Sequence, residues 1–145
     1  MISIEQGNAS LAKDMSILLQ TELTNPDSLE ELRHVLDNYP SFVAFDEKRV
    51  LKGLLYTWAT GRDVLHIHGL HVRKDLRNEE IGSLLLDKTE VTARNLGYRT
   101  ITLTNSMHYQ GVDKRSAVPF YKKHGYRVIH ETFNFPPTYI MLKEL

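Results

Sequence analysis

The chain has no cysteine among its 145 residues. That excludes a disulfide framework, a thiolate metal site and catalysis through a cysteine nucleophile. An excess of one charge is also lacking. Lys and Arg total 18, Asp and Glu total 18, and the formal net charge is zero with histidine neutral. No global field draws the chain to nucleic acid or a membrane surface, so any anion site has to be local. No apolar run approaches a membrane span, and the opening Met1-Ile2-Ser3-Ile4-Glu5 is not a basic, apolar leader. A cytoplasmic protein without nucleic-acid or membrane partners is the expectation. No repeat, low-complexity tract or Pro/Gly/Ser-rich linker divides the chain, which suits one domain over residues 1–145. A chain of that length can bury roughly two thirds of its unfolded surface.

The 41% of hydrophobic residues fall into patterns that name the elements. Ile2 to Glu5 alternates like a strand. Asn8 or Ser10 can cap a helix whose apolar positions are Leu11, Met15, Leu18 and Leu19. Asn25-Pro26-Asp27 breaks the chain, and Leu29, Leu32, Val35 and Leu36 form the stripe of a second helix that stops at Tyr39-Pro40. Strands follow at Phe42–Phe45, Val50–Trp58 and Val64–Val72, joined by two polar turns that suit antiparallel neighbours. A helix from Ile81 to Leu96 places Leu84, Leu85, Lys88 and Val91 near one face and ends at Gly97. Thr100–Thr104 is a strand. Ser116 can cap a further helix with Pro119 in its first turn and Gly125 at its end. Arg127–Phe133 and Tyr139–Leu142 flank Pro136-Pro137 as a last pair of strands. This order predicts an α/β chain with a mixed sheet and helices packed on it.

The segment from Leu70 to Ser83 carries the most information. It reads as a strand, a short turn and the start of an amphipathic helix. Such a helix offers backbone N–H groups without intrahelical partners and the positive end of its dipole, which suit a phosphate. Arg77 adds a cation and Gly82 permits close approach to the backbone. An ordinary strand-turn-helix connection has the same appearance, so the local physics leaves both readings open.

Val72 to Gly82 resembles the acetyl-CoA signature of the GCN5-related N-acetyltransferases, Arg/Gln-x-x-Gly-x-Gly/Ala. Arg77 and Gly82 match it, and Glu80 stands at the first glycine. Ala117 to Tyr126 is similar to the family's Ala-x-x-Phe-Tyr-x-x-x-Gly-Phe segment, in the family's order. The resemblance implies a GNAT-like acyl-CoA N-acyltransferase fold, with a mostly antiparallel central sheet flanked by helices. It implies an acetyl-CoA-dependent N-acetyltransferase that moves an acetyl group directly to a primary amine of a small-molecule or peptide acceptor, and it allows a homodimer. With no cysteine for an acyl-enzyme, direct attack on the thioester is the simpler route.

The same resemblance assigns the coenzyme site. The diphosphate would lie on the backbone N–H groups of Asn78, Glu79, Glu80, Ile81, Gly82 and Ser83, beside Arg77. The pantetheine arm would add like a strand along Leu70, His71 and Val72, and an N–H near Leu70 would stabilise the thioester oxyanion. Asn105, at the end of the fifth strand, can meet that arm or an ordered water, or simply begin a turn. The departure at Glu80 has a cost. A carboxylate about 6 Å from a phosphate repels it by roughly 0.7 kcal/mol in water and about 3 kcal/mol at an effective dielectric of 20. Arg77 and the helix N-terminus offset part of this. Glu80 therefore favours an alternative: a domain of the same fold without turnover, acting as an acyl-CoA sensor or interaction module.

Two residues are candidates for catalysis. By resemblance, Tyr121 is the general acid that protonates the departing thiolate. A Phe120–Tyr121 pair also simply packs a helix on a sheet, and Phe120 is assigned to the core. His68 takes the place of the glutamate that serves many relatives as base, and an imidazole can do this at neutral pH. A rim histidine is the equal alternative. His66 and His68 alternate with Leu65 and Ile67, so both point away from that apolar face. His71 should point the other way unless a bulge at Gly69 intervenes, and no carboxylate lies beside the three, so no metal is assigned. Met107, His108, Tyr109 and Gln110 are placed in a loop that would line the acceptor pocket.

Overall fold

A computed structural model describes residues 1–22, 29–73, 80–106, 117–132 and 138–145, excepting the side chains of 19–22 and 106. Among these, seven strands form one sheet in the order β1-β2-β3-β4-β5-β7-β6. The strands are β1 Ser3–Gln6, β2 Ser41–Phe45, β3 Leu51–Ala59, β4 Val64–Val72, β5 Thr100–Ser106, β6 Arg127–Thr132 and β7 Thr138–Glu144. The helices are α1 Ala12–Glu22, α2 Leu29–Asn38, α3 Glu80–Asn95 and α4 Val118–Lys123. β4 and β5 run parallel, and every other neighbouring pair is antiparallel. The expected mixed, mostly antiparallel sheet with flanking helices is what forms.

Local chemistry explains the boundaries. A single 3-10 turn at Ala9–Leu11 precedes α1, and the Asn8 side chain accepts from the Ser10 N–H at 2.9 Å. Asp46 accepts from the N–H groups of Lys48 and Val50, both at 2.9 Å, and closes the β2–β3 turn. Gly97, at φ +91°, lets the chain leave α3 in a left-handed conformation.

The two faces carry separate cores. On one face, α3 and α4 cover Leu55, Leu65, Ile67, Ile101, Leu103 and Met141. On the other, α1 and α2 cover Val43, Phe45, Leu54 and Tyr56. The buried stripe of α3 differs from the expected one. Leu85 is buried, but Leu84 and Val91 are exposed and so is Lys88; the covered residues are Ile81, Gly82, Leu85, Leu86, Thr89, Glu90 and Ala93. Two polar residues complete the stripe because each is satisfied there. Thr89 donates to the Leu85 carbonyl at 2.9 Å, and Glu90 is held by Lys143 and Tyr126. The cap of α4 also differs: Ala117 occupies it, with no side-chain hydrogen bond and with proline in the first turn. Ser116 lies outside the described residues.

Candidate functional site

The sheet opens at one place. β4 and β5 are in register from Val64–Thr100 to Ile67–Leu103, yet β4 continues to Val72 and β5 to Ser106. Past Ile67 the two strands part. A second irregularity occurs at the same level of β4. Tyr56 pairs with Gly69 and the adjacent Thr57 with Ile67, so His68 is an extra residue opposite β3. This bulge reverses the alternation along the strand. Leu70 and Val72 accompany Leu65 and Ile67 on the α3 face. His71, opposite Leu54 and buried, therefore shares the α1–α2 face with His66 and His68. The exception allowed for a bulge at Gly69 is the one that applies: the bulge, with His68 as its extra residue, turns His71 to this face. Gly69 is required beside it, since a Cβ there would lie 2.4 Å from the buried Tyr56 ring. Sharing a face does not gather the three imidazoles: among the described residues no group of three His, Asp or Glu could hold a metal ion.

The first turn of α3 caps the open end of β4. Gly53 pairs with Val72, and a Cβ on Gly53 would come within 3.1 Å of Ile81 Cγ2. Glu80, Ile81, Gly82 and Ser83 form the first described turn of α3. Ile81 and Gly82 are buried, whereas Glu80 is exposed. Glu80 is thus on the solvent side of the turn. Gly82 faces α4, with its Cβ position 3.3 Å from Phe120 Cζ. Phe120 is only half-buried and packs against the core, while Tyr121 is the more buried of the two. Arg77, Asn78, Glu79 and Met107–Gln110 lie outside the described residues.

The catalytic candidates are on opposite faces. Tyr121 belongs to the α3–α4 core, its ring edge-on to Phe120 at 5.2 Å and to Tyr126 at 5.8 Å. His68 lies on the other face with its ring 3.8 Å from Trp58 and 5.4 Å from Tyr56. They can share a reacting centre only through the gap between β4 and β5. Asn105 is buried beside that gap, opposite Tyr139 of β7.

His66 shows what this face does to an imidazole. Its Nδ1 is 2.8 Å from Thr102 Oγ1, and its ring is stacked with Trp58 at 6.3 Å. Burial holds its pKa below the ordinary histidine value, and the neighbouring His68 lowers it further. The unfolded chain therefore binds a proton more readily than the folded one just below pH 6.5. The stability this contributes is present above pH 6.5 and is lost as pH falls toward the depressed value. The melting temperature is expected to drop between pH 7 and 5, and His66→Asn, which keeps a donor for Thr102 but does not titrate, is expected to flatten that drop. Scanning calorimetry across the range measures it; equal slopes would refute it.

Trp58, Thr102, Ser83's partner His124 and Glu90 take part in the geometry without a sequence signal. Each acts through a contact between elements distant in sequence. Ser83 Oγ lies 2.9 Å from His124 Nε2.

Comparison with known proteins agrees with this architecture. An acetyltransferase (GNAT) domain model matches residues 13–136. An acetyltransferase from Bacillus cereus is 30% identical, with 72% of this chain and 71% of that one covered and a TM-score of 0.63. The ribosomal-protein-S18-alanine N-acetyltransferase of Escherichia coli is 15% identical with a TM-score of 0.83, covering 99% of this chain and 94% of that one. An aminoglycoside 6'-N-acetyltransferase solved with coenzyme A is 21% identical with a TM-score of 0.81, covering 98% and 96%. No curated protein matches the chain in sequence. The chain belongs to the GNAT acetyltransferase family.

Proposed function

We propose that residues 1–145 form one acetyl-CoA-dependent N-acetyltransferase that acts on a primary amine by direct transfer. The observation that carries this reading is the parting of β4 and β5 beside the first turn of α3. It offers an extended backbone edge for an amide-bearing arm and, at its end, helix amides for a diphosphate. Gly82, with no Cβ to crowd Phe120, and an outward-facing Glu80 are compatible with such a ligand. Support also comes from the coenzyme A complex of an aminoglycoside acetyltransferase with this fold.

The coenzyme supplies an acetyl group activated as a thioester. The β4 edge at Leu70, His71 and Val72 holds the arm, and a backbone N–H near Leu70 stabilises the developing oxyanion. His68 takes the proton of the attacking amine, directly or through water, from the α1–α2 face. Tyr121 gives a proton to the departing thiolate from the opposite face. Asn105 borders the arm on the β5 side. The sheet thus separates the base from the acid and lets the reacting atoms meet in its gap.

The opposing reading, a ligand sensor without turnover, rests on Glu80 and on the absence of a glutamate at position 68. Titration with coenzyme A separates binding from its absence, and thiol release from acetyl-CoA over a panel of peptide and small-molecule amines separates turnover from sensing. Saturating acetyl-CoA at about 100 times its Kd should add about 2.7 kcal/mol of stability. No melting shift and no titration heat would end the coenzyme assignment. Binding without thiol release on any amine would favour the sensor.

A further inference from the structure

The last turn of α4 reaches back to the first turn of α3 through one side chain. His124 follows Lys123 at the end of α4 and is largely covered, with a side-chain exposure of 17%. Its Nε2 lies 2.9 Å from Ser83 Oγ, and its Nδ1 lies 4.0 Å from Asp87 Oδ1. Ser83 and Asp87 are one turn apart on α3, so both imidazole nitrogens face the same helix. The ring also packs on Phe120 at 4.8 Å, the residue that fills the space over Gly82. A hydroxyl on the proposed diphosphate cradle is therefore held in place from outside the cradle.

We propose that His124 is a positioning residue for the coenzyme diphosphate, fixing the Ser83 hydroxyl so that its proton points at a phosphate oxygen. The inference rests on the coenzyme reading above. A hydroxyl has one proton and two lone pairs. If Nε2 only accepts, the Ser83 proton is spent on the imidazole. If Nε2–H donates to Ser83 Oγ, the hydroxyl proton is released to the anion. Asp87 Oδ1, 4.0 Å from Nδ1, is beyond hydrogen-bond reach and does not tie the imidazole proton to that nitrogen. The tautomer with its proton on Nε2 therefore serves the diphosphate, and no covalent bond changes. Lys122 and Lys123 stand in the same turn of α4. From β7, Lys143 Nζ donates to the His124 carbonyl at 2.7 Å and to Glu90 at 2.7 Å.

The test is calorimetric titration of coenzyme A into wild type, His124→Ala, His124→Gln and Ser83→Ala. NMR titration with pantetheine, which lacks the diphosphate, accompanies it. His124→Ala and Ser83→Ala are each expected to weaken coenzyme A by about ten-fold, with pantetheine unchanged, and the double variant to be no worse than either. His124→Gln, whose amide can place an N–H near the Nε2 position, should recover most of the loss. Equal weakening of coenzyme A and pantetheine, additive variants, or unchanged affinity in His124→Ala would each overturn the proposal while leaving the coenzyme reading intact. Failure of wild type to bind coenzyme A would overturn both.

Discussion

Tyr121→Phe is expected to lower kcat with acetyl-CoA by about 10²- to 10³-fold while leaving coenzyme affinity and melting temperature nearly unchanged. The substitution removes one oxygen and keeps the ring that meets Phe120 and Tyr126. A residue that only packs the core would lose little turnover. A general acid would lose the proton that the departing thiolate needs. The defect should shrink with an acetyl thioester whose thiol is more acidic, because such a leaving group departs without help. His68→Ala provides the contrasting case. On the proposed mechanism it acts on the amine, so its loss should depend on the acceptor's basicity and be indifferent to the leaving thiol. Steady-state rates over a small matrix of amines and thioesters distinguish the two. A Tyr121→Phe enzyme with wild-type kcat would remove the acid from the mechanism.

Both assignments rest on resemblance to the family, whereas the elements and their faces show what local sequence itself carries. Strand order, helix order and turn positions are carried by patterns within each segment. The alternation in Val64–Val72 and the glycine at 97 predict elements that form where expected. Faces were harder. On α3, counting apolar residues placed Leu84 and Val91 inward, but Thr89 and Glu90 occupy the covered stripe instead. Their partners come from the helix backbone and from β7 and the α4–β6 corner, and a helical wheel contains only the first of these. The bulge at His68 is the second case. One extra residue reverses the inside and outside of every later position in the strand, and nothing in Leu65-His66-Ile67-His68 announces it. Gly69 is its only trace, explained by a ring from the neighbouring strand. The contact of His124 with Ser83 spans 41 residues and carries no local signature. The family motifs are what assign the coenzyme corner. Which side chains support it is decided by packing between α3 and α4.

Lys143→Met is expected to cost about 3 kcal/mol or more, lowering the melting temperature by roughly 10 °C. Glu90 sits on the covered face of α3 with a side-chain exposure of 6%. Lys143 Nζ donates to Glu90 Oε1 at 2.7 Å, the Tyr126 hydroxyl donates to Oε2 at 3.0 Å, and Arg94 stands off at 4.0 Å. Burial, with the Glu90 charge added, raises the Tyr126 pKa far above its ordinary value, so the phenol remains a donor at any working pH. Methionine fills much of the lysine's volume but leaves a buried carboxylate with a neutral donor and a distant guanidinium. It also removes the hydrogen bond from Lys143 to the His124 carbonyl. The resulting loss exceeds the net worth of the pair, because the larger part is the desolvated charge left behind. Glu90→Gln in the Lys143→Met background removes that charge and should therefore recover much of the stability, giving a strongly non-additive cycle. Chemical denaturation of the four proteins supplies the numbers. Additive losses would mean that the carboxylate finds compensation elsewhere. The same cycle bears on function, since Lys143 holds the corner from which His124 reaches Ser83. Coenzyme affinity that fell with stability in Lys143→Met and returned in the double variant would trace cradle geometry to the charge state of a residue buried behind it.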